Sequence, residues 1–168
     1  MTVVVNDANI LIDLVELRLL PHFFELEYAF HTTDLILEEL REDQQKALMP
    51  YMDMERLQVS EMTDDDLIAV YEIKTQRPRL SEQDCSAFYQ AQSLQGILLT
   101  SDNTLRKFAK SQQVEVHGHL WIFDRMVETE TISPAHAIEK LDELCETVNP
   151  HLGLPLAECE KRKLSWRQ

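Results

Sequence analysis

The apolar residues of this chain fall into two kinds of segment. Short runs such as residues 3–6 and 97–100 are too brief for a helix, so they predict buried strands. Longer segments repeat their apolar positions every three or four residues, as Ile10, Leu11 and Leu14 do, which indicates amphipathic helices. The predicted strands are 3–6, 28–31, 56–60, 97–100 and 114–116. The main predicted helices are 9–19, 35–42, 102–112, 120–128 and 134–147. A further helix is capped by Thr63 and ends near Thr75, and another runs from Ser81 to about Leu94. Residues 47–55 are predicted to be helical after Pro50.

Polar residues at the segment boundaries support these assignments. Thr33 precedes the helix predicted at 35–42, and Ser81 with Asp84 three residues later is a variant of the capping box. Short strands that alternate with helices favour a parallel sheet with helices on both faces. We therefore predict an α/β fold, namely a three-layer α/β/α sandwich with a mostly parallel central sheet.

The length and composition are those of one ordinary globular domain. The chain has 168 residues, of which 44% are hydrophobic and 27% charged. We predict a folded domain at 1–148 and a tail punctuated by Pro and Gly at 149–168. No apolar run approaches the roughly 20 residues needed to cross a bilayer, and the first residues lack the basic region of a secretion signal. The three cysteines have no CxxC spacing, which favours reduced thiols in a cytoplasmic protein.

Four acidic residues occupy positions that the predicted fold turns towards one point. Asp7 and Asp102 each follow a predicted strand, and Glu39 and Asp84 lie on the apolar faces of predicted helices. In parallel α/β sheets, ligands bind outside the carboxyl ends of the strands. Two carboxylates about 4 Å apart repel by ~4 kcal/mol at an effective dielectric of 20, so a cluster of them needs a cation. Mg²⁺ or Mn²⁺ suits an all-oxygen site, although the spacing alone also allows four unrelated caps and rim charges.

Four motifs in order along the chain point to the same acids. The first places an acid after the first strand and an Asn two residues later, and the second places Glu39 before a final leucine. The third and fourth contain Asp84 and Asp102. The motifs occupy residues 3–14, 33–40, 80–84 and 98–103. Together they resemble the PIN-domain family, and in particular its VapC-like toxin ribonucleases, over residues 3 to about 144.

The resemblance implies a metal-dependent ribonuclease that hydrolyses RNA. It also implies that Asn9 and Thr100 are supporting hydrogen-bonders. The residues that would be catalytic and would hold one or two Mg²⁺ or Mn²⁺ ions are Asp7, Glu39, Asp84 and Asp102. Many compact members of the family are toxins of toxin–antitoxin pairs, which are often dimeric and inhibited by a small partner protein. The partners implied are therefore an RNA substrate, a small antitoxin and a second copy of the chain, without a membrane.

The net charge of −14 is unusual for a protein that binds RNA, because phosphate binding normally leaves a basic footprint. A protein with a negative net charge can still carry basic patches on parts of its surface. Arg106, Lys107 and Lys110 follow Asp102 on its predicted helix and are the candidates for RNA contact. Two further basic patches are Lys74, Arg77 and Arg79 in one region and the segment 161–167.

Two other classes of function remain open at this point. The first is a non-catalytic PIN-like module that binds proteins, which the acidic charge favours. The second is a Mg-dependent phosphoacceptor switch, although that class needs paired acids after the first strand and a lysine after a late strand. With three glycines, the chain has no Gly-rich phosphate loop.

Several polar residues are expected to lie outside the acidic set. The chain departs from the family at His117-Gly118-His119, where many members have a Gly-Thr-Gly-like turn. We predict surface or rim positions for His117 and His119 rather than a zinc pair. Asp13 and Asp43 are predicted to be solvated helix charges.

Overall fold

Five parallel strands form a sheet in the order β3-β2-β1-β4-β5, and the computed structural model describes all 168 residues. The strands are β1 (Val3–Asn6), β2 (Ala29–Thr33), β3 (Leu57–Ser60), β4 (Ile97–Leu99) and β5 (Val116–His117). Val4 pairs with Phe30 on one side and with Ile97 on the other, so β1 is the central strand. All pairings are parallel, which confirms the predicted sheet.

Ten α-helices connect and cover the strands, and the π-helix Leu144–Val148 continues the ninth of them. They are α1 (Ala8–Glu16), α2 (Leu20–Phe24), α3 (Asp34–Leu37), α4 (Glu42–Asp53), α5 (Asp64–Gln76), α6 (Glu82–Ser93), α7 (Asn103–Ser111), α8 (His119–Glu128), α9 (Pro134–Glu143) and α10 (Leu156–Trp166). On one side of the sheet α6 contacts β1, β2 and β4, and α3, α5 and α7 pack against α6. The second connected group of helices contains α1, α2, α4, α8, α9 and α10. This arrangement confirms the three-layer α/β/α sandwich. None of the helices is both long and apolar enough to cross a membrane.

The apolar side chains of β1 and β4 explain why these strands form the centre of the core. Val4, Val5, Leu98 and Leu99 are fully buried. Burying each such side chain stabilises the fold by roughly 1.5–3 kcal/mol. An almost continuous apolar run is typical of a parallel strand that is covered on both faces.

The strand order reverses at β1. From β1 the chain adds β2 and β3 on one side, and then it returns to add β4 and β5 on the other. The backbone N–H of Asp7, directly after β1, donates to the carbonyl of Leu99 at the end of β4 with an N–O distance of 3.0 Å. In open α/β sheets, ligands bind in the crevice at such a reversal, outside the carboxyl ends of the strands. The fold therefore places the residues that follow β1 and β4 in the crevice.

The helix after β2 is shorter than the sequence predicts. A helix is expected over 35–42, but α3 ends at Leu37. The backbone N–H groups of Glu39 and Leu40 donate three residues back, to Ile36 and Leu37, with N–O distances of 3.0 and 3.1 Å. These bonds close a tight turn in which Glu39 is exposed. The prediction that Glu39 lies on the inward face of a helix is therefore wrong.

The next helix is longer than predicted. Residues 47–55 are expected to be helical after Pro50, but α4 begins at Glu42 and contains Pro50. Proline removes one backbone hydrogen bond from a helix interior. Buried Gln44 and Leu48 on the inner face hold α4 against the core, which offsets this loss.

Residues 149–168, predicted as a tail, contain the helix α10. Its Cys159 and Trp166 are 4% and 7% exposed and belong to the hydrophobic core. Trp166 Nε1 donates to a carboxylate oxygen of Asp124 on α8 at 3.1 Å, and Arg162 Nε forms an ion pair with the same carboxylate at 3.0 Å. The turn residues before α10 obscured its short apolar face in the sequence.

Trp166→Ala should lower the free energy of unfolding by about 3–5 kcal/mol, because it empties a buried site and removes the indole bond to Asp124. Leu164→Ala on the same helix is the matched control, since Leu164 is 60% exposed and should change stability by about 0.5 kcal/mol or less. Urea unfolding measures both values. Equally small losses in the two variants would show that α10 is not part of the cooperative core.

Candidate active site

Asp7 occupies the position directly after β1, and its carboxyl group is almost fully buried. Only 2% of the residue is exposed. The N–H of Ala8 donates to Oδ1 at 2.8 Å, and the hydroxyl of Thr100 donates to Oδ2 at 2.7 Å. Burial raises the pKa of Asp7 to about 7; the Thr100 bond opposes the shift, whereas the charges of Asp84 and Glu39 add to it.

Thr100 connects two of the four predicted acids. It follows β4, is fully buried and uses its hydroxyl both to donate to Asp7 and to accept the backbone N–H of Asp102 at 3.0 Å. Asp102 is the N-cap of α7, and its Oδ1 accepts the N–H of Leu105 at 2.7 Å. One carboxyl oxygen of Asp102 therefore fixes the start of the helix, while Oδ2 has no hydrogen-bond partner.

Asp84 lies in the first turn of α6 within a capping box, as the sequence predicts. Its Oδ2 accepts the N–H of Ser81 at 3.0 Å, and its own N–H donates to Ser81 Oγ at 3.0 Å. Burial raises the pKa of Asp84, and the charge of Asp102 adds to the shift. The bonds from Ser81 and the positive charge of Lys74 act in the opposite direction.

Glu39 approaches the same region from the turn after α3. Desolvation raises its pKa, and the charge of Asp84 raises it further. Asp84 in turn acts on Asp7 and feels the charge of Asp102. The charge of Asp84 is therefore coupled to that of each of the other three predicted acids, and we call Asp7, Glu39, Asp84 and Asp102 the acidic cluster.

The acidic cluster is open rather than closed around a point. No three His, Cys, Asp or Glu side chains of the structure lie close enough together to hold a metal ion as they stand. Carboxylate oxygens are nevertheless the donors that Mg²⁺ and Mn²⁺ prefer, and Mg²⁺ usually keeps several waters, which suits ligands that stand apart. No ion pair neutralises any of the four acids, so the chemistry of the donor set fits a divalent cation.

The other predicted site residues take different positions. Arg106 lies beside the acidic cluster, where its Nη2 donates to the carbonyl of Thr100 at 3.3 Å. Lys107 and Lys110 are exposed on α7 and form no ion pair. Asn9 is exposed on α1, and its side chain makes no hydrogen bond to the cluster.

Asp13, His119 and Asn149 form a buried polar group that the sequence analysis missed. Asp13 is 4% and His119 is 3% exposed, so the predictions of a solvated charge and a rim histidine are wrong. His119 Nε2 lies 2.8 Å from Asp13 Oδ2, and Asn149 Nδ2 donates to the same oxygen at 3.1 Å. The helical spacing did contain a signal, because Asp13 lies in phase with buried Ile10 and Leu14.

The His117-Gly118-His119 segment does not form a metal-binding pair. His117 ends β5, is partly exposed and stacks on Trp121 with ring centroids 4.7 Å apart, whereas His119 is buried at the start of α8. Gly118 between them borders Arg106. A Cβ at Gly118 would stand 2.6 Å from Arg106 Nη2, so the glycine leaves room for this guanidinium beside the acidic cluster.

Comparison with known families agrees with the fold. A family model described as a PIN domain matches residues 3–154, and the chain belongs to the PIN-domain family. PIN domains are generally nucleases, and they typically use divalent metal ions. The match ends before α10. A search of curated proteins finds no significant match.

The pKa of Asp7 predicts how stability changes with pH in the absence of metal. Its value in the folded protein, about 7, lies above its ordinary value of 3.8, so the folded state binds this proton more tightly than the unfolded state. The resulting stability is complete below pH ~4 and is lost as the pH rises towards 7. The protein in EDTA should therefore unfold more easily at pH 8 than at pH 5, as thermal melts would show.

Asp7→Asn should remain folded and reduce this pH dependence, because it removes the charge and keeps an oxygen that can accept a hydrogen bond. At pH 8 without metal it should be at least as stable as the wild type. Asp53→Asn is the control, because Asp53 is exposed and forms no ion pair. A loss of several degrees in Asp7→Asn at pH 8 would instead mean that Asp7 serves mainly as a structural cap.

Asp13→Ala should destabilise the protein by about 3 kcal/mol, since His119 and Asn149 would lose their shared buried acceptor. Asn9→Ala on the same helix is a suitable control because Asn9 is exposed and its side chain forms no hydrogen bond, and the change should cost no more than about 0.5 kcal/mol. Urea unfolding at pH 7 distinguishes the two. Equal losses would contradict a stabilising role for the buried group.

Proposed function

We propose that this PIN domain is an endoribonuclease that hydrolyses RNA phosphodiester bonds with Mg²⁺ or Mn²⁺ at the acidic cluster. One observation carries the proposal. The carboxyl group of Asp7 is buried at the reversal of strand order, has a pKa raised to about 7 and feels the charges of Asp84 and Glu39. Such repulsion costs stability, and perturbed carboxyl groups of this kind concentrate at functional sites. A cation that the cluster binds would relieve the repulsion.

The hydrogen bonds of the acids indicate which oxygens remain available. Asp84 and Asp102 each use one oxygen to accept a backbone N–H at the start of a helix, and the other oxygen has no hydrogen bond. These second oxygens would serve as ligands. Asp7 would be the central ligand, because one hydrogen bond to each of its oxygens fixes the carboxyl group and leaves the second lone pair of each oxygen for the cation. Glu39, on an exposed turn, would bind the cation or orient the attacking water.

When bound, the cation would supply positive charge for the phosphodiester oxygens and would make the attacking water more acidic. The chain would contribute orientation, since Thr100 holds Asp7 in one position. No histidine or lysine forms a hydrogen bond with the acidic cluster, and His119 is engaged by Asp13. The acids, rather than a basic side chain, would therefore position the water.

We further propose that the protein acts as a VapC-like toxin with a small antitoxin and a second copy of itself as partners. The motifs that resemble this group support the proposal. Leu67, Ile68 and Tyr71 on α5 are 41%, 57% and 68% exposed and give an apolar surface that a partner would cover. A neighbouring gene that encodes a small DNA-binding protein would add further support.

The net charge of −14 favours a second candidate, a non-catalytic PIN-like module that binds proteins. Binding of Mg²⁺ without any cleavage of RNA would be compatible with that candidate. The phosphoacceptor switch has less support. Asn6 rather than a second acid precedes Asp7, and no lysine follows β5 within the first turn of α8.

Addition of Mg²⁺ or Mn²⁺ should both raise the melting temperature and start cleavage of RNA that presents a single-stranded loop. An ion bound only by the folded state adds ~2.7 kcal/mol of stability at a hundred times its dissociation constant. EDTA should abolish both effects. Fluorescence melts and a gel assay with end-labelled RNA would measure them.

Asp102→Asn tests the site without disturbing the helix that Asp102 caps, because Asn caps a helix about as well as Asp does. We expect cleavage to fall by orders of magnitude while the metal-free melting temperature stays near that of the wild type. Asp53→Asn, which removes an exposed charge, should cleave normally. Undiminished cleavage by Asp102→Asn would reject the acidic cluster as the catalytic site.

A further inference from the structure

A groove lies between α7 and the loop that precedes α6. It has a volume of about 410 Å³. Residues 76–80 form one wall, and Thr104, Lys107, Phe108 and Ser111 of α7 form the other. We call this feature the α7 groove. Two basic patches that are separate in the sequence, Arg77 with Arg79 and Lys107, line it together.

The cations of the α7 groove are unusual in a chain with 30 acidic and 16 basic residues, because none of them forms an ion pair. The basic residues that do form ion pairs with carboxylates lie at the start of α4 or on α4, α8, α9 and α10. They are Arg41, Lys46, Arg125, Lys140, Arg162 and Lys163. Unpaired cations also occur elsewhere, as at Arg18 and Arg56, but three around one groove concentrate positive potential there.

The α7 groove adjoins the acidic cluster along both of its walls. Leu80 in one wall directly precedes Ser81, whose N–H binds Asp84. Thr104 in the other wall lies two residues after Asp102. Lys74 joins the two regions, since its Nζ donates to the carbonyl of Leu80 at 2.9 Å and its charge acts on Asp84.

The walls of the groove also include apolar and aromatic surface. The guanidinium of Arg77 lies over the ring of Phe108, with 5.3 Å from Cζ to the ring centroid. This contact positions Arg77 without neutralising its charge.

We propose that the α7 groove binds the phosphodiester backbone of a single-stranded RNA segment that extends from the acidic cluster. Arg77, Arg79 and Lys107 contact successive phosphates, for which guanidinium groups offer paired donors. A single strand can bend from a recessed cluster into a lateral groove more easily than a duplex can. This inference rests on the proposed ribonuclease function and adds where the substrate strand lies.

The test compares the variant Arg77→Gln/Arg79→Gln/Lys107→Gln with a control of equal charge change, Arg18→Gln/Arg41→Gln/Lys46→Gln. The control residues are exposed and lie outside the groove. Fluorescence anisotropy with a labelled single-stranded RNA, in EDTA, measures binding without cleavage between 0.1 and 1 M salt. A single-stranded DNA of the same sequence serves as a second probe.

Each phosphate contact on a single strand contributes a slope of about 0.7 to the fall of log affinity with log salt. Loss of three contacts should reduce this slope by about 2 and weaken RNA binding roughly a hundredfold at 0.1 M salt, with little change at 1 M. The DNA probe should lose affinity by the same factor, because the groove contacts phosphate. The control variant should match the wild type.

Two results would overturn the inference. One is RNA affinity and salt slope in the groove variant equal to those of the control. The other is a loss confined to RNA, which would mean that the groove contacts the ribose hydroxyl instead of phosphate. Because Arg77 also packs on Phe108, Arg79→Gln/Lys107→Gln provides a variant that keeps this contact, and it should weaken binding about 25-fold at 0.1 M salt.

Cleavage assays separate this inference from the proposed function. Metal-dependent cleavage of the RNA by the wild type, with binding and cleavage unchanged in the groove variant, would reject the groove and leave the ribonuclease proposal intact. Absence of cleavage by the wild type, with salt-dependent RNA binding that the groove variant loses, would reject the catalytic proposal and retain the groove as the site of strand binding.

Discussion

The carboxyl group of Asp7 is held by two hydrogen bonds at the strand-order reversal, one from the start of α1 and one from the residue after β4. Ala8, which begins α1, donates to one oxygen, and Thr100, which follows β4, donates to the other. The carboxyl group therefore joins β1, α1 and the end of β4 at the crevice. Asp102 depends on the same arrangement, because its backbone N–H donates to the Thr100 hydroxyl. The position of Asp102 relative to Asp7 is therefore set by the hydroxyl of Thr100, which both residues share.

The hydrogen bonds and the burial of Asp7 act against each other. Both donors favour the ionised carboxylate, as does the start of α1, but the loss of hydration and the neighbouring acids favour the protonated form. Burial prevails, and the pKa rises to about 7. Near neutral pH, either a proton or a bound cation can therefore neutralise the buried negative charge of Asp7. Metal binding and protonation should compete at this carboxyl group, which makes affinity for a divalent ion increase with pH.

The sequence was most informative where a residue's position depends on one strand. Asp7 and Asp102 follow strands whose apolar character is evident, and the parallel order brings strand ends to the same edge. Ser81 and Asp84 were recognisable because a capping box is a local pattern. Glu39 was assigned to the acidic set, but its setting was predicted incorrectly, because the backbone bonds that close the turn after Leu37 leave no trace in a periodic pattern.

Features that depend on packing between distant segments could not be predicted in the same way. Asp13 and His119 are 106 positions apart, and only the contact of α1 with the start of α8 makes them partners. The α7 groove likewise unites residues 76–80 with α7, although each basic patch alone looks like a solvated surface. Local patterns identify which side chains are polar, whereas the folded chain determines which of them face each other.

The distribution of charge is compatible with the proposed RNA substrate despite the net charge of −14. Most surface carboxylates repel RNA over a range set by the Debye length, about 8 Å at physiological ionic strength. Attraction of RNA must therefore be local, and it can occur only where basic side chains form no ion pair with a carboxylate. Arg106 on one side of α7 and Lys107 on the other satisfy this condition next to Asp102. Under the proposed function, an RNA that approaches an acidic part of the surface would meet net repulsion, which would favour contact at the edge where the acidic cluster opens.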